Sequence, residues 1–244
     1  MKKNTDLTAI KHLAHSLLMT GVVPTEFSPV IVQHPFTSSG LVGLSTKGNI
    51  SMIDITASEE NLHKWQNYVA NEIDKAESIT DIYRMINKPY VMTFVKFAKD
   101  DLSKDDFSEL LADAWIRSEN PNSDANLSSG ELVSMFKSAD KHFLMDESEI
   151  NQLYNMDDIV TVYRGVTPVH EKNVKALSWT LDYETACWFA NRFGQEGTVY
   201  EATIAKEHIL AFFNSRNESE VIVDPRYLQD IEPVQEIEEG LYLQ

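Results

Sequence analysis

The sequence predicts an α+β protein, with a mainly helical first part and a β-rich last third. Up to about residue 143, apolar residues recur at helical spacing in most segments. After residue 158 the apolar segments become short, rich in β-branched residues and separated by turn residues. A hydrophobic content of 43% and an aromatic content of 10% in 244 residues supply enough apolar surface for a packed core.

The N-terminal region is predicted as one helix followed by strands. Apolar residues recur every three or four positions near the start of the chain, and Pro24 ends that helix. Two strand-like stretches follow, at 29–36 and 40–56. The second contains the turn TKGN, in which Gly48 is free to adopt positive φ, and this predicts a hairpin. We therefore expect residues 1–57 to form an N-terminal helix and β-hairpin element.

The next part of the chain is predicted to be helical up to residue 157. The strongest pattern covers residues 58–76, where Ser58 is the expected N-cap and an apolar stripe follows. The same spacing predicts three further helices, at 79–87, 103–116 and 129–143. The apolar stretch 89–98 fits either a strand or a buried helix.

The last third is predicted to consist of strands around one helix. The segments IVTVYRGV, KALSWT, GTVYEATIA, HILAFF and SEVIV are typical of strands. A helix is predicted over 182–194, with Gly194 in the C′ position. No Pro/Gly linker separates this β-rich part, 158–244, from the helical part, 58–157. We expect either one packed unit or two closely packed ones.

Charge and composition argue against several classes of function. A formal net charge of −17 opposes binding to the phosphate backbone of nucleic acid. The sequence has no glycine-rich phosphate loop, no Gly-x-Ser-x-Gly elbow and no metal-ligand pattern among its histidines, so we expect no metal. The single cysteine, Cys187, cannot form an internal disulfide. No apolar run reaches membrane-spanning length and the N-terminus has no signal-peptide core, so a cytoplasmic protein is expected.

Three groups of polar residues mark the β-rich part. Arg164 ends a strand, in VYRG. Ser178 and Thr180 flank a tryptophan where another strand leads into a helix. Glu218 and Glu220 open a third strand, and two glutamates at i and i+2 of an extended chain point the same way. An arginine at a strand end offers a fork of donors for phosphate or carboxylate, and paired glutamates can share two roles on a charged substrate.

In order and in flanking pattern, these groups resemble the mono-ADP-ribosyltransferases of the arginine–serine–glutamate class, which include many bacterial toxins and phage-encoded enzymes. VYRG is similar to that family's arginine strand, LSWTLDYETACWFANRF to its serine motif and the following helix, and NESEVIV to its Glu-x-Glu motif. The resemblance covers about residues 158–224. It implies an ADP-ribosyltransferase-like split β-sandwich preceded by a mainly helical N-terminal region, with residues 58–244 as the ADP-ribosyltransferase-like domain.

The serine motif departs from the family at one position. The family usually has Ser-Thr-Ser or Ser-Thr-Thr, whereas Trp179 stands in the middle here. Because alternate side chains of a strand face opposite sides, Trp179 is expected to pack in the core while Ser178 and Thr180 keep their direction.

The resemblance implies a reaction on NAD, in which a protein side chain takes the place of nicotinamide on the ribose. By position, Glu220 would hold the ribose and stabilise the developing cation. Glu218 would select and deprotonate the acceptor, with arginine favoured. Ser178 would hold Glu220 in place, and Thr180 would help nearby.

The resemblance also implies the residues that bind NAD. Arg164 would anchor the phosphate side, and the backbone at Gly165 would approach the nicotinamide amide. The expected partners are NAD and a target protein, in a bacterium, its virus or the cytoplasm of a host, and neither nucleic acid nor a membrane is expected. Two alternatives stay open: an NAD glycohydrolase, and a non-catalytic binding or virion structural module that retains the fold.

Overall fold

The computed structural model describes residues 1–28, 30–46, 48–119, 121–168, 174–194 and 196–234. The protein combines helices with antiparallel sheets, which confirms the mixed α and β class. Contacts divide the chain into two compact units, Met1–Leu127 (unit 1) and Ser128–Gln244 (unit 2). This division falls inside the predicted helical part, 58–157. The assignment of 58–244 to one family domain stays a prediction.

Unit 1 combines helices with small sheets. Its helices are α1 (Leu7–Leu18), α2 (Glu59–Lys75), α3 (Ile79–Met85), α4 (Val91–Ala98) and α5 (Lys104–Arg117). Its strands are β1 (Val23–Pro24), β2 (Ile31–His34), β3 (Thr37–Ser39), β4 (Leu41–Thr46) and β5 (Asn49–Asp54). Strands β1, β2 and β3 form one antiparallel sheet, and β4 and β5 form a separate hairpin.

Most predicted elements of unit 1 are present, but α1 ends at Leu18, and Pro24, the predicted end of this helix, lies in β1. Ser58 caps α2 by accepting a hydrogen bond from the Asn61 N–H at 3.2 Å. The β4–β5 hairpin closes at the predicted turn, with Gly48 at φ 82°. The ambiguous stretch 89–98 is helical in α4. The five consecutive residues from Val91 to Val95 are all buried, so buried side chains lie on every side of this helix. The alternation of apolar and polar faces that marks a surface helix is therefore missing from the sequence.

Unit 2 begins with three helices and continues as a six-stranded sheet that carries one more helix. The helices are α6 (Ser129–Ser138), α7 (Lys141–Leu144), α8 (Glu147–Asn155) and α9 (Tyr183–Ala190). The strands are β6 (Ile159–Val166), β7 (Ser178–Thr180), β8 (Thr198–Ala205), β9 (Ile209–Phe213), β10 (Glu220–Val223) and β11 (Gln229–Pro233). All neighbours pair antiparallel, in the order β11-β8-β6-β7-β10-β9.

Two predicted helices of unit 2 have different boundaries. The stretch 129–143 is two helices, because Asp140 accepts a hydrogen bond from the His142 N–H at 3.0 Å and starts α7 anew. Helix α9 ends at Ala190, and Gly194, at φ 67°, ends a following 3₁₀ turn. Helix α8 and strand β11 were not predicted, since both are mainly polar.

Helix α9 packs closely on β6, and the contact requires a glycine. A Cβ atom at Gly165 would overlap the carbonyl oxygen of Ala186 and lie 2.5 Å from the amide nitrogen of Ala190. Next to β6, Trp179 of β7 is 2% exposed, and its Nε1 donates to the carbonyl oxygen of Ala176 at 3.0 Å. The prediction that this tryptophan packs in the core is confirmed. No helix in the described ranges is both long enough and apolar enough to cross a membrane.

Candidate active site

The three predicted groups of polar residues meet at three neighbouring strands, β6, β7 and β10, although Glu218 lies in the loop before β10. In the antiparallel pair of β7 and β10, Thr180 stands opposite Glu220, and Ser178 stands opposite Ile222. Paired residues of a sheet project from the same face, as do residues two apart on one strand. Ser178, Thr180 and Glu220 therefore share one face of the sheet.

The carboxylate of Glu220 is held by the serine. The Ser178 hydroxyl donates to Glu220 Oε1 at 2.5 Å, and Glu220 is only 7% exposed. A hydrogen bond to an ionised acceptor is shorter and stronger than one between neutral groups. This contact fixes Oε1 of the carboxylate, while the other oxygen, Oε2, faces Arg216.

Arg164 reaches the same place from β6. Its Nη1 donates to the backbone carbonyl oxygen of Ser178. Burial lowers the pKa of Arg164 to about 10, an effect that the nearby Glu220 carboxylate partly opposes, so the guanidinium stays charged at neutral pH. Its Nε atom is buried without a hydrogen-bond partner among the described residues. A buried donor of this kind costs free energy unless a ligand or water satisfies it.

The Thr180 hydroxyl forms hydrogen bonds with backbone groups of neighbouring segments and not with the Glu220 carboxylate. Its hydroxyl donates to the carbonyl oxygen of Glu218 at 2.7 Å and accepts from the Asp182 N–H at 3.0 Å. Asp182 in turn caps α9, accepting from the N–H groups of Glu184 and Thr185. Thr180 thus connects the end of β7, the start of α9 and the loop that precedes β10.

The expectation that Glu218 and Glu220 form an extended i, i+2 pair is wrong. Strand β10 begins only at Glu220, and Ser219 has φ 44°, which is left-handed backbone. The cause is a turn around Asn214, whose side-chain oxygen accepts from the Ser219 N–H at 3.0 Å. Such side-chain capture of backbone is typical of asparagine. Asn217, at φ 56°, is also left-handed.

The two carboxylates nevertheless converge, on a residue that sequence reasoning missed. Arg216 Nη2 lies 2.7 Å from Glu218 Oε2 and 3.6 Å from Glu220 Oε2. Its position two and four residues before the two glutamates was visible in the sequence. The sequence, however, did not reveal the turn around Asn214, and only this turn brings the Arg216 guanidinium close to both glutamates.

Glu149 is a second residue that sequence reasoning missed. It is 7% exposed, and its Oε2 accepts from the Asp146 N–H at 3.0 Å in a capping box that starts α8. Its Oε1 accepts from the Asn214 N–H at 2.8 Å. The Asp-x-x-Glu capping pattern is a signal in the sequence, but its second, distant partner is not. Glu149 anchors the start of the glutamate loop, residues 214–219.

Gly165 lies on β6 against α9, and this packing alone explains the glycine. Its predicted approach to a nicotinamide amide stays a prediction. Within the described ranges, no group of three or more histidine, cysteine or acidic side chains is arranged to hold a metal ion.

The charges of this site suit a ligand that carries charges of both signs. The Arg164 guanidinium is fixed, and a guanidinium suits an anionic group such as phosphate. The Glu220 carboxylate is fixed next to it and can stabilise a positive charge that develops during a reaction. Glu218, whose side chain is 25% exposed, lies toward solvent.

Comparison of the chain with protein-family models, with characterised proteins and with solved structures finds no match.

Proposed function

We propose that this protein is an NAD-dependent mono-ADP-ribosyltransferase that modifies a protein side chain, with arginine favoured. The observation that carries the proposal is the 2.5 Å hydrogen bond from Ser178 to Glu220, with Arg164 bound to the carbonyl of the same serine. These three residues come from neighbouring strands, in the chain order of the family that the sequence resembles. The finer fold, an ADP-ribosyltransferase-like split β-sandwich, is part of the proposal.

In this proposal NAD is bound through its phosphates by Arg164. The guanidinium is held by the Ser178 carbonyl, so it needs little ordering when the substrate arrives. The backbone at Gly165 and the hydroxyl side of β7, with Ser178 and Thr180, complete the surface for the dinucleotide.

Glu220 acts on the bond that breaks. When nicotinamide leaves, the ribose carbon develops positive charge, and a fixed carboxylate stabilises that charge without reorganising. The serine hydrogen bond keeps Glu220 Oε1 in place and its charge buried at 7% exposure, where electrostatic interactions are stronger than in water.

Glu218 acts on the acceptor. It lies one turn before β10, more exposed than Glu220, and its carboxylate already contacts a guanidinium, that of Arg216, at 2.7 Å. A carboxylate at this distance can orient an arginine and accept its proton as the new bond forms. The net charge of −17 would steer a basic target protein toward the enzyme. We place the reaction in the cytoplasm, of a bacterium or of a host cell.

The proposal is tested with adenine-labelled NAD, a protein extract and the small guanidine agmatine. Transfer predicts label on protein and on agmatine, together with released nicotinamide. An NAD glycohydrolase would yield free ADP-ribose alone. Calorimetry tests binding: wild type and the control Arg192→Ala should bind NAD, whereas Arg164→Ala should bind it weakly. Absence of NAD binding in the wild type would support the non-catalytic alternative and reject the enzyme.

A further inference from the structure

The glutamate loop supplies a guanidinium of its own to the candidate site. Arg216 Nη2 lies between the two carboxylates, 2.7 Å from Glu218 Oε2 and 3.6 Å from Glu220 Oε2. The Glu220 oxygen that faces it is Oε2, whereas Ser178 donates to Oε1. The two carboxylates and the serine thus define a position for one guanidinium, and Arg216 fills it.

The loop is built to keep Arg216 there. Two hydrogen bonds lie within the loop: Asn214 accepts from the Asn217 N–H through its carbonyl at 2.9 Å and from the Ser219 N–H through its side chain at 3.0 Å. Three more bind the loop backbone to its surroundings: the Asn214 N–H donates to Glu149 at 2.8 Å, the Glu218 carbonyl accepts from the Thr180 hydroxyl at 2.7 Å, and the Ser219 carbonyl accepts from the Leu181 N–H at 3.0 Å. Two of its non-glycine residues have left-handed backbone, Asn217 and Ser219. Left-handed backbone is unfavourable for residues other than glycine and persists where the surroundings impose it.

Arg216 also remains accessible. Its side chain is 42% exposed, unlike the 9% exposed side chain of Glu220. A guanidinium in this position and open to solvent is a counter-ion for both glutamates, and it becomes a nucleophile when one of its nitrogens loses a proton to a carboxylate.

We infer that Arg216 is a modification site of this protein: it occupies the acceptor position in cis and is ADP-ribosylated by the same active site. This inference rests on the proposed transferase function and adds to it the first acceptor. The same position predicts that Arg216 competes with the target protein, because an external arginine must displace Arg216 before it can bind Glu218.

The chemical step balances with NAD as the co-reactant. The bond between the ribose C1′ and the nicotinamide nitrogen breaks, and its electron pair stays on nicotinamide, which leaves as a neutral molecule. A new bond forms between a guanidine nitrogen of Arg216 and C1′. The proton lost from that nitrogen passes to the Glu218 carboxylate, 2.7 Å away, and then to solvent. Once modified, Arg216 blocks the position that an external guanidinium needs.

The test maps the modified residue in the full-length protein. Wild type, Arg216→Lys and the control Arg192→Lys are incubated with labelled NAD, with and without agmatine, and peptides are analysed by mass spectrometry. Lysine keeps the positive charge next to the glutamates. Arg192 lies over the rings of Trp188 and Phe189. We expect the ADP-ribose mass on Arg216 in wild type and in the control, and its loss in Arg216→Lys. The labelling rate per molecule should not change across about a hundredfold dilution, because an intramolecular step does not depend on concentration.

The outcomes separate the two proposals. Labelled agmatine with unmodified Arg216, or with label at another residue, overturns the inference and leaves the transferase intact. A labelling rate that falls on dilution overturns modification in cis. Absence of nicotinamide release and of labelled agmatine in every variant rejects the transferase itself. Calorimetry without NAD gives an independent reading: agmatine should bind Arg216→Gln more tightly than wild type, and equal affinity would show that Arg216 does not occupy the acceptor position.

Discussion

The two units bury different kinds of polar residue. The buried polar side chains of unit 1 are uncharged at neutral pH: His34, Gln66, Thr93 and Ser108. Among the described residues of unit 2, the buried polar side chains are the carboxylates Glu149, Glu220 and Asp224, together with Thr180. Burying a carboxylate is costly unless it is paired or hydrogen-bonded, and no carboxylate is buried in the part of unit 1 that the structure describes. Each buried carboxylate of unit 2 therefore needs a reason.

Two of these carboxylates have a structural reason. Asp224 accepts from Arg226 Nη2 at 2.6 Å, Arg226 Nε at 2.8 Å and Lys137 Nζ at 2.7 Å. Glu149 caps α8 and holds the Asn214 N–H. Glu220 differs, because a neutral hydroxyl holds one oxygen and the other faces a partly exposed guanidinium. The proposed function assigns a chemical role to Glu220 and a structural role to Asp224 and Glu149, and the following variants test this contrast.

The largest effect is expected at Glu220. Glu220→Gln keeps the size of the side chain and its hydrogen bond to Ser178 but removes the charge, so nicotinamide release should fall by about 10²–10³-fold. Release is measured at saturating NAD, with circular dichroism to confirm folding and the 80% exposed Glu207→Gln as the matched control. A rate equal to wild type would place Glu220 with the structural carboxylates.

The opposite pattern is expected at Asp224. Asp224→Asn removes charge-assisted hydrogen bonds to Arg226 and Lys137, and the free energy of unfolding should fall by about 1.5–3 kcal/mol. The lower value is favoured by the exposure of both cations, whose side chains are 68% and 45% exposed. Urea denaturation measures the loss, with the exposed Asp158→Asn as control. NAD cleavage per folded molecule should stay at the wild-type rate. A loss of activity without a loss of stability would contradict a purely structural role for Asp224.

The sequence predicted the parts of this site that depend on strand periodicity. Ser178, Trp179 and Thr180 alternate as a strand requires, so the burial of the tryptophan and the shared face of its neighbours followed from their order alone. The close position of Arg164 and Glu220 followed only from family order, because pairing between distant strands leaves no local signal.

The parts that failed depend on turn geometry and distant contacts. Two glutamates two residues apart suggested an extended pair, but the Asn214 side chain captures the Ser219 N–H and forces a left-handed residue between them. That capture, and the Glu149 contact that anchors it, join residues up to 65 positions apart. Arg216 was overlooked for the same reason, since its role exists only once the loop has turned.

A smaller effect is expected at Glu218. It should change how much ADP-ribose goes to an acceptor and how much to water, and not the rate of NAD cleavage. Glu218→Gln should lower transfer to agmatine by about tenfold relative to nicotinamide release, an effect of about 1.4 kcal/mol on one step. Glu220 and its serine remain, so NAD cleavage to free ADP-ribose should continue. The ratio of labelled agmatine to free ADP-ribose measures the partition. Equal losses in both products would give Glu218 the same role as Glu220.

The smallest effect is expected from acid in unit 1, at His34. This residue is fully buried, its Nδ1 accepts from the Phe36 N–H at 3.1 Å, and its Nε2 faces the Leu18 carbonyl at 3.3 Å. Both contacts are satisfied by the neutral ring with its proton on Nε2, and protonation of Nδ1 breaks the first. Burial lowers the pKa of His34, with backbone carbonyl contacts partly opposing.

The sign of the pH effect follows from this shift. The unfolded chain takes up the His34 proton below about pH 6.5, before the folded protein does, so stability is complete above that value and falls as the pH drops toward the lowered folded pKa. Wild type should therefore lose more thermal stability than His34→Gln between pH 7.5 and pH 5, with the exposed His142→Gln behaving as wild type. At Asp224, hydrogen bonds from Arg226 and then Lys137 hold the pKa well below its usual range, so its contribution is lost only below about pH 4. A melt at pH 5 thus tests the neutral core of unit 1 while Asp224 of unit 2 is still charged. Equal shifts in wild type and His34→Gln would remove His34 as the acid-sensitive group.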